Sequence, residues 1–346
     1  MTMISGKYFN RGLENNIAHL KGKKIYVHNF DGKELGIFRT EILEKETGED
    51  FKMNLNKHDY DLLSKFSLLD IKKDAETIKC ISGQSNFKFQ NIKDMHEIIP
   101  DIKNLEDIDL DVQLFKKAAA LVSKKDGVLI YPQGVCAYDK EMQFIYKYLC
   151  PLNIKEQINS PTNLLQLMMS NAKYSVKANK TLIALQSEGE MIYSSLFVKT
   201  NENIAGFDPQ IKGEITFENP EQFKDILKQA SGFNANAYLK IETKKGGGAQ
   251  MSIQTLIDGN DPRVYTSTIN VETNIITYKR AFSIAGILKC MSAIETNGKL
   301  IFRVNDKLLR IDGTNEFVTI AGMRTPEDTE IIIADQLKGV ADDRNE

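Results

Sequence analysis

Thr277-Tyr-Lys-Arg-Ala-Phe-Ser-Ile-Ala-Gly-Ile-Leu-Lys-Cys-Met-Ser-Ala293, continued from Lys299 by Leu-Ile-Phe-Arg-Val304, carries two periodicities in succession. Ile284, Ile287, Leu288 and Met291 recur at i, i+3, i+4 and i+7, which predicts a helix over 278–292 with Lys279, Ser283, Gly286 and Lys289 on its far side. After Asn297-Gly298 the period drops to two, through 299–304, a turn at Asn305-Asp306, 307–311 and 316–320. One unit is therefore an amphipathic helix lying on a small antiparallel sheet.

The same unit recurs along the chain. Helices are predicted near 9–21, 56–68, 111–125, 160–173, 218–231 and 278–292, with starts 47, 55, 49, 58 and 60 residues apart, each followed by period-two segments and turns. Asn56 reads as a helix cap, Ser160-Pro161 as a cap with proline in the first turn, and Asn219-Pro220 likewise. Looser stretches at 91–106 and 201–212 read as linkers. Pairing the six copies gives an α+β chain of three domains, 1–100, 101–210 and 211–324, followed by an acidic tail. That tail, 325–346, has seven acids against two bases, which predicts a loosely docked or mobile end.

Composition narrows the class. Of 346 residues, 42% are hydrophobic and 27% charged, as in an ordinary globular protein. No apolar run approaches the roughly 20 residues needed to cross a bilayer, and the first residues lack a signal-peptide core, so a cytoplasmic protein without membrane contact is expected. Cys80, Cys136, Cys150 and Cys290 stand singly with apolar neighbours, as reduced core residues do. His19, His28, His58 and His96 are isolated from one another and from cysteine, which predicts no metal site. Lys244-Lys-Gly-Gly-Gly248 lacks the ending of a phosphate loop and reads as a hairpin loop.

With the repeats laid out, several motifs resemble those of the bacterial sliding clamp, the beta subunit of DNA polymerase III. Phe317-Val-Thr-Ile-Ala-Gly-Met-Arg324 is similar to the family's closing strand, and Cys136-Ala-Tyr-Asp139 to the Ala-Thr-Asp of its second domain. Glu190-Met-Ile-Tyr-Ser-Ser-Leu-Phe-Val198 with Phe207-Asp-Pro209 resembles the strand and loop that lead to its third domain. Phe51-Lys-Met-Asn-Leu55 and Ser82-Gly-Gln-Ser-Asn-Phe87 fit its first. The chain departs from the family where Met-Pro-Met becomes Ile320-Ala-Gly-Met323, where Lys140-Glu-Met-Gln143 replaces Gly-His-Arg-Leu, and in its short first copy and long tail. This is the pattern of a divergent clamp, of the kind that viruses carry.

The resemblance implies helices lining a central hole, a homodimer ring closed head to tail around duplex DNA, and no catalysis, metal or nucleotide cofactor. It also implies two protein partners, a polymerase and a clamp-loader ATPase. The six predicted helices carry a net charge of +7 while the remaining chain carries −9. In a clamp Arg11, Lys57, Lys65, Lys116, Lys117, Lys124, Lys125, Lys173, Lys224, Lys228, Lys279, Arg280 and Lys289 would then face the duplex. Partner peptides would bind a pocket at Leu129, Tyr138, Lys140, Met142, Phe144, Ile204, Phe207, Ile320, Ala321, Gly322 and Met323. Two other readings remain open at this point: a clamp-like scaffold for transcription or repair proteins that need not close a ring, and a nuclease, against which the absence of clustered carboxylates or histidines counts.

Overall fold

A computed structural model of the chain describes residues 2–9, 16–29, 37–92, 102, 104–122, 126–141, 143–168, 172–196, 204–243, 248–257, 263–295 and 298–323. In chain order the strands are β1 (Thr2–Ile4), β2 (Asn16–Lys21), β3 (Lys24–Asn29), β4 (Ile37–Ile42), β5 (Phe51–Leu55), β6 (Leu69–Lys73), β7 (Thr77–Ser82), β8 (Ser85–Gln90), β9 (Glu106–Ile108), β10 (Val128–Tyr131), β11 (Gly134–Asp139) and β12 (Phe144–Leu149). They continue as β13 (Ile158–Ser160), β14 (Ser175–Ala178), β15 (Leu182–Ser187), β16 (Glu190–Ser195), β17 (Gly213–Phe217), β18 (Asn236–Thr243), β19 (Ala249–Ile257), β20 (Arg263–Thr273), β21 (Tyr278–Ser283), β22 (Leu300–Val304), β23 (Leu308–Asp312) and β24 (Glu316–Ala321). Four α-helices lie among the described residues: α1 (Lys57–Leu63), α2 (Val112–Ala120), α3 (Pro220–Ser231) and α4 (Ile284–Ala293).

Two compact units divide the chain, Met1–Lys116 with Leu152–Thr200, and Lys117–Pro151 with Asn201–Glu346. In the first, β1-β6-β7-β8 form one antiparallel sheet and β5-β2-β3-β4-β16-β15-β14-β9 another. The first unit's core gathers Phe9, Leu20, Ile25, Phe51, Met53, Tyr60, Leu63 and Ile78, all fully buried. α1 starts where the sequence puts its cap: the Asp59 amide donates to Asn56 Oδ1 at 2.9 Å and the Asn56 amide donates to Asp59 Oδ2 at 2.8 Å, a reciprocal capping box.

In the second unit a continuous antiparallel run has the order β10-β11-β12-β24-β23-β22-β17-β20-β19-β18-β21. α3 begins at Asn219, whose Oδ1 accepts from the Gln222 amide, and buries Phe223, Ile226, Leu227 and Ala230. Phe217, Phe223 and Phe302 stack in a trio with ring centres 4.4, 4.9 and 5.4 Å apart, joining α3 to β17 and β22. α4 packs on β24 and β21 through Ile284, Gly286, Ile287, Cys290 and Ala293.

Three helix expectations are corrected. Of the helix predicted over 9–21, Asn16–Lys21 is the strand β2, paired with β3 and β5, and residues 10–15 lie outside the described set. Ile17, Ala18, His19 and Leu20 are all buried; a strand covered on both faces reads as a short continuous apolar run that periodicity cannot tell from a helix. The helix predicted over 160–173 is replaced by the end of β13 at Ser160, a single 3-10 turn at Asn163–Leu167 and β14 from Ser175. Thr162 precedes that turn without a capping hydrogen bond, and its buried residues are Leu164 and Leu167, the i, i+3 spacing of a 3-10 turn. The last helix starts at Ile284, capped by Ser283, because Tyr278–Ser283 is taken up as the edge strand β21 against β18.

Candidate functional site

The structure sorts the predicted cations by what they meet. Lys57, Lys65 and Lys173 are exposed, Lys116 is half-exposed, and none of the four makes an ion pair among the described residues. Lys224 and Lys228 on α3 lie 3.6 Å from Glu221 and Asp225, i,i+3 pairs worth only about 0.2–0.5 kcal/mol each. Lys117 and Lys289 are held internally. The Lys117 ammonium sits 2.7 Å from both oxygens of Glu316, whose Oε2 also accepts from the Tyr146 hydroxyl at 2.5 Å. Burial first, then the Glu316 hydrogen bond, pushes the Tyr146 phenol well above its ordinary range. Lys289 reaches Asp139 Oδ2 at 3.0 Å and lies over the Phe144 ring.

Lys279 and Arg280 stand on β21 and not on a helix, which corrects the expectation that they project from the last one. Lys279 is exposed; Arg280 lies across Gly322 and donates to its carbonyl at 3.4 Å. A Cβ at Gly322 would come within 2.3 Å of Arg280 Nε, so any larger residue there would have to displace the Arg280 side chain. Arg11, Lys124 and Lys125 lie outside the described residues, as do Met142, His96 and the tail. Most of the loop at 244–248 does too, but Thr243 pairs with Ala249, so it joins two adjacent antiparallel strands.

The predicted pocket residues divide between two sheet faces. Antiparallel register places Leu129 opposite Cys136, Tyr138 opposite Ile145 and Cys136 opposite Lys147, so these side chains share one face with Tyr131. Ile204, Ala205 and Phe207 pack onto that face and complete an apolar cluster with Leu129, Tyr131, Cys136, Tyr138 and Ile145. Phe144 and Ile320 are paired neighbours on the opposite face, both fully buried, with α4 against them. Lys140 and Met323 are exposed, Ala321 is half-buried, and Gly322 is buried under Arg280.

Sequence reasoning passed over Tyr131, Cys136, Ile145 and Lys147, although the period of two from Leu129 and Tyr138 marks the first three. Lys147 is 3% exposed, and burial holds its ammonium below the usual lysine range. It donates to the carbonyls of Ala205 and Phe207, each at 2.6 Å, between the rings of Tyr131 and Phe317. Nearby, Arg310 covers Phe317 with its guanidinium 3.9 Å from the ring centre and binds Asp208 at 2.8 Å. Burial pushes the Cys136 thiol up to about 12. Among the described residues no three His, Cys, Asp or Glu side chains gather as a metal site, and no helix is long and apolar enough to cross a membrane.

This helix-on-sheet architecture is similar to the DNA polymerase III subunit beta of Pseudomonas aeruginosa, with a TM-score of 0.73 at 13% identity over 93% of this chain and 99% of that one. The chain has the sliding-clamp fold. The clamp of Helicobacter pylori bound to a DNA ligase peptide is similar over 94% of this chain and 100% of its own, with a TM-score of 0.70 and 13% identity. The same clamp bound to diflunisal is similar at 14% identity and a TM-score of 0.70. No family model and no curated protein matches the chain by sequence. The clamp fold is therefore kept here on a sequence that shares about one residue in seven with its structural neighbours.

Proposed function

We propose that this chain is a DNA sliding clamp. In this reading three clamp domains, 1–100, 101–210 and 211–324, join with those of a second copy, head to tail, into a closed ring that encircles duplex DNA and tethers a replicative polymerase. The observation that carries it is the fold likeness, which spans 93% of this chain and 99% of a bacterial clamp. The exposed lysines Lys57, Lys65 and Lys173, with Lys116, are the first to meet phosphate, in contacts independent of base sequence and weakened by salt. Lys224 and Lys228 follow by exchanging their weak surface pairs. The clamp bound to a ligase peptide suggests the same class of ligand here, an apolar partner peptide on the cluster of Leu129, Tyr138, Ile204 and Phe207. A clamp performs no covalent chemistry and needs no cofactor; its processivity comes from topology, with a partner ATPase loading it. Its place of action is the cytoplasm.

The test is retention of loaded protein on nicked circular DNA against the same DNA linearised, at moderate salt. Retention on the circle with loss from the linear form is the expected result, and equal loss from both refutes a closed ring. One observation favours a second reading, a clamp-like scaffold that does not close: β2 occupies part of the first predicted helix, and a single 3-10 turn replaces the fourth. A native mass of one chain, near 39.1 kDa, would select that reading.

A further inference from the structure

Lys147 is a buried ammonium that takes no carboxylate partner among the described residues. Its hydrogen bonds go to two main-chain carbonyls, those of Ala205 and Phe207, on a segment that sequence alone reads as a linker. Where packing is the only requirement, an apolar side chain of the same length fills such a place without the desolvation of a charge. The charge here does something an apolar stem does not: it grips a stretch of backbone. We propose that Lys147 is the positioning residue of the partner-peptide pocket, fixing residues 204–208 as one of its walls. This rests on the reading of the apolar cluster as that pocket.

The gripped segment supplies three of the cluster's side chains, Ile204, Ala205 and Phe207. Its continuation is fastened too. Arg310 binds the Asp208 carboxylate, Asn305 Nδ2 donates to the Gln210 carbonyl at 2.8 Å, and the Lys212 amide donates to the Val304 carbonyl at 2.9 Å. Those fastenings lie on β23, on β22 and in the turn between them, beyond the cluster. Lys147 alone among the described residues anchors the segment from within the cluster, on β12, beside Ile145 on the same face. Without it the wall is tethered at Asp208 and held over 204–207 by apolar packing alone, with no hydrogen bond among the described residues to fix its main chain on the sheet.

Lys147→Met keeps the apolar stem and removes the grip. Two readouts are needed: amide hydrogen exchange over 204–208, and affinity by polarisation for a fluorescein-labelled peptide containing Gln-Leu-Ser-Leu-Phe, of the Gln-Leu-x-Leu-Phe type that the resemblance to the clamp family implies for its partners. The expected result is exchange at least tenfold faster at 204–208 with β22 and β23 unchanged, and at least tenfold weaker peptide binding. Asp208→Asn removes the neighbouring fastening from a side chain that is 78% exposed, so this variant keeps its fold; it is expected to shift both readouts two- to fivefold. Peptide affinity unchanged in Lys147→Met, or faster exchange across the whole second unit in place of 204–208, overturns the positioning role. Should Lys147→Met fail to fold, the wild-type chain decides instead: amides at 204–208 that exchange as fast as those of an unstructured peptide overturn the grip. A wild-type chain that does not bind the peptide overturns the pocket reading itself, a result separate from either variant's.

Discussion

Gly286 is where α4 comes closest to β24, and replacing it by alanine measures that approach. A Cβ built there lies 2.0 Å from Ile320 Cδ1, while its next contacts, Ile320 Cγ1 at 3.4 Å and Ser283 Cβ at 3.5 Å, are ordinary. Carbon atoms rest about 3.5–4.0 Å apart, so the clash amounts to about 1.5 Å against a single methyl group. Ile320 is fully buried and cannot swing that methyl into solvent. Overpacking of this kind costs about 1–3 kcal/mol, against which alanine in a helix gains about 1 kcal/mol over glycine. Gly286→Ala is therefore expected to lower stability by about 0–2 kcal/mol, although helix propensity alone predicts a gain. Ile320→Val alone should lose about 0.5–1.5 kcal/mol, and it removes the very methyl that clashes. In the double variant the alanine fits, so the pair should be at least as stable as Ile320→Val, with a coupling of about 1–3 kcal/mol. Urea unfolding followed by circular dichroism on the four proteins of the cycle provides the numbers. A Gly286→Ala variant stabler than wild type by the full helix-propensity gain, or a cycle additive within about 0.5 kcal/mol, would refute the packing of α4 on β24 as described.

Asn56→Ala removes the side-chain half of the capping box, the bond from the Asp59 amide, on a helix of only seven residues, and is expected to lower the stability of the first unit by about 1 kcal/mol, with Asn56→Gly losing a few tenths, in the same urea assay. Tyr146→Phe leaves Glu316 to Lys117 alone; losing a hydrogen bond to a charged acceptor should cost about 1.5–3 kcal/mol, and a cost under 0.5 kcal/mol would show that the contact carries no net stability. Burial disfavours the thiolate and pushes Cys80 and Cys136 up to about 12, so at pH 8 both stand in the native protein as protonated, shielded thiols. Cys290 is shifted upward for the same reason, and Cys150 is the one half-exposed thiol. A thiol-reactive dye should therefore label one cysteine fast in the native protein and four in urea; two fast native thiols would contradict the burial.

Much of this architecture is legible in the sequence, and the failures have physical reasons. Asn56 and Asn219 announce helices because a short polar side chain at the first turn satisfies an amide locally, within three residues. Ser160-Pro161 carries the same signal and fails, since its serine closes β13, a pairing that nothing local encodes. Ile17 to Leu20 fail differently, being buried on both faces where neither period shows. At the candidate site the charges are legible but their partners are not: Lys117 meets Glu316 from 199 residues away and Lys289 meets Asp139 from 150. The apolar face around Tyr138 could be read from its period of two. Lys147 could not, because a lysine on a strand reads as solvent-facing until the segment that covers it is known.

The seams of the two larger sheets bear on how the chain can be cut. β4 pairs with β16 in the first unit and β12 with β24 in the second, so the middle third of the chain contributes an interior strand to each sheet. Excised at 101 and 210, that third would lose both partners and present two bare rows of amides and carbonyls, the template for strand-by-strand self-association. Such a piece would be sticky where the intact chain is closed. Evolutionary exchange of this third is constrained in the same way: a replacement must match two foreign edges in register, as well as its own core.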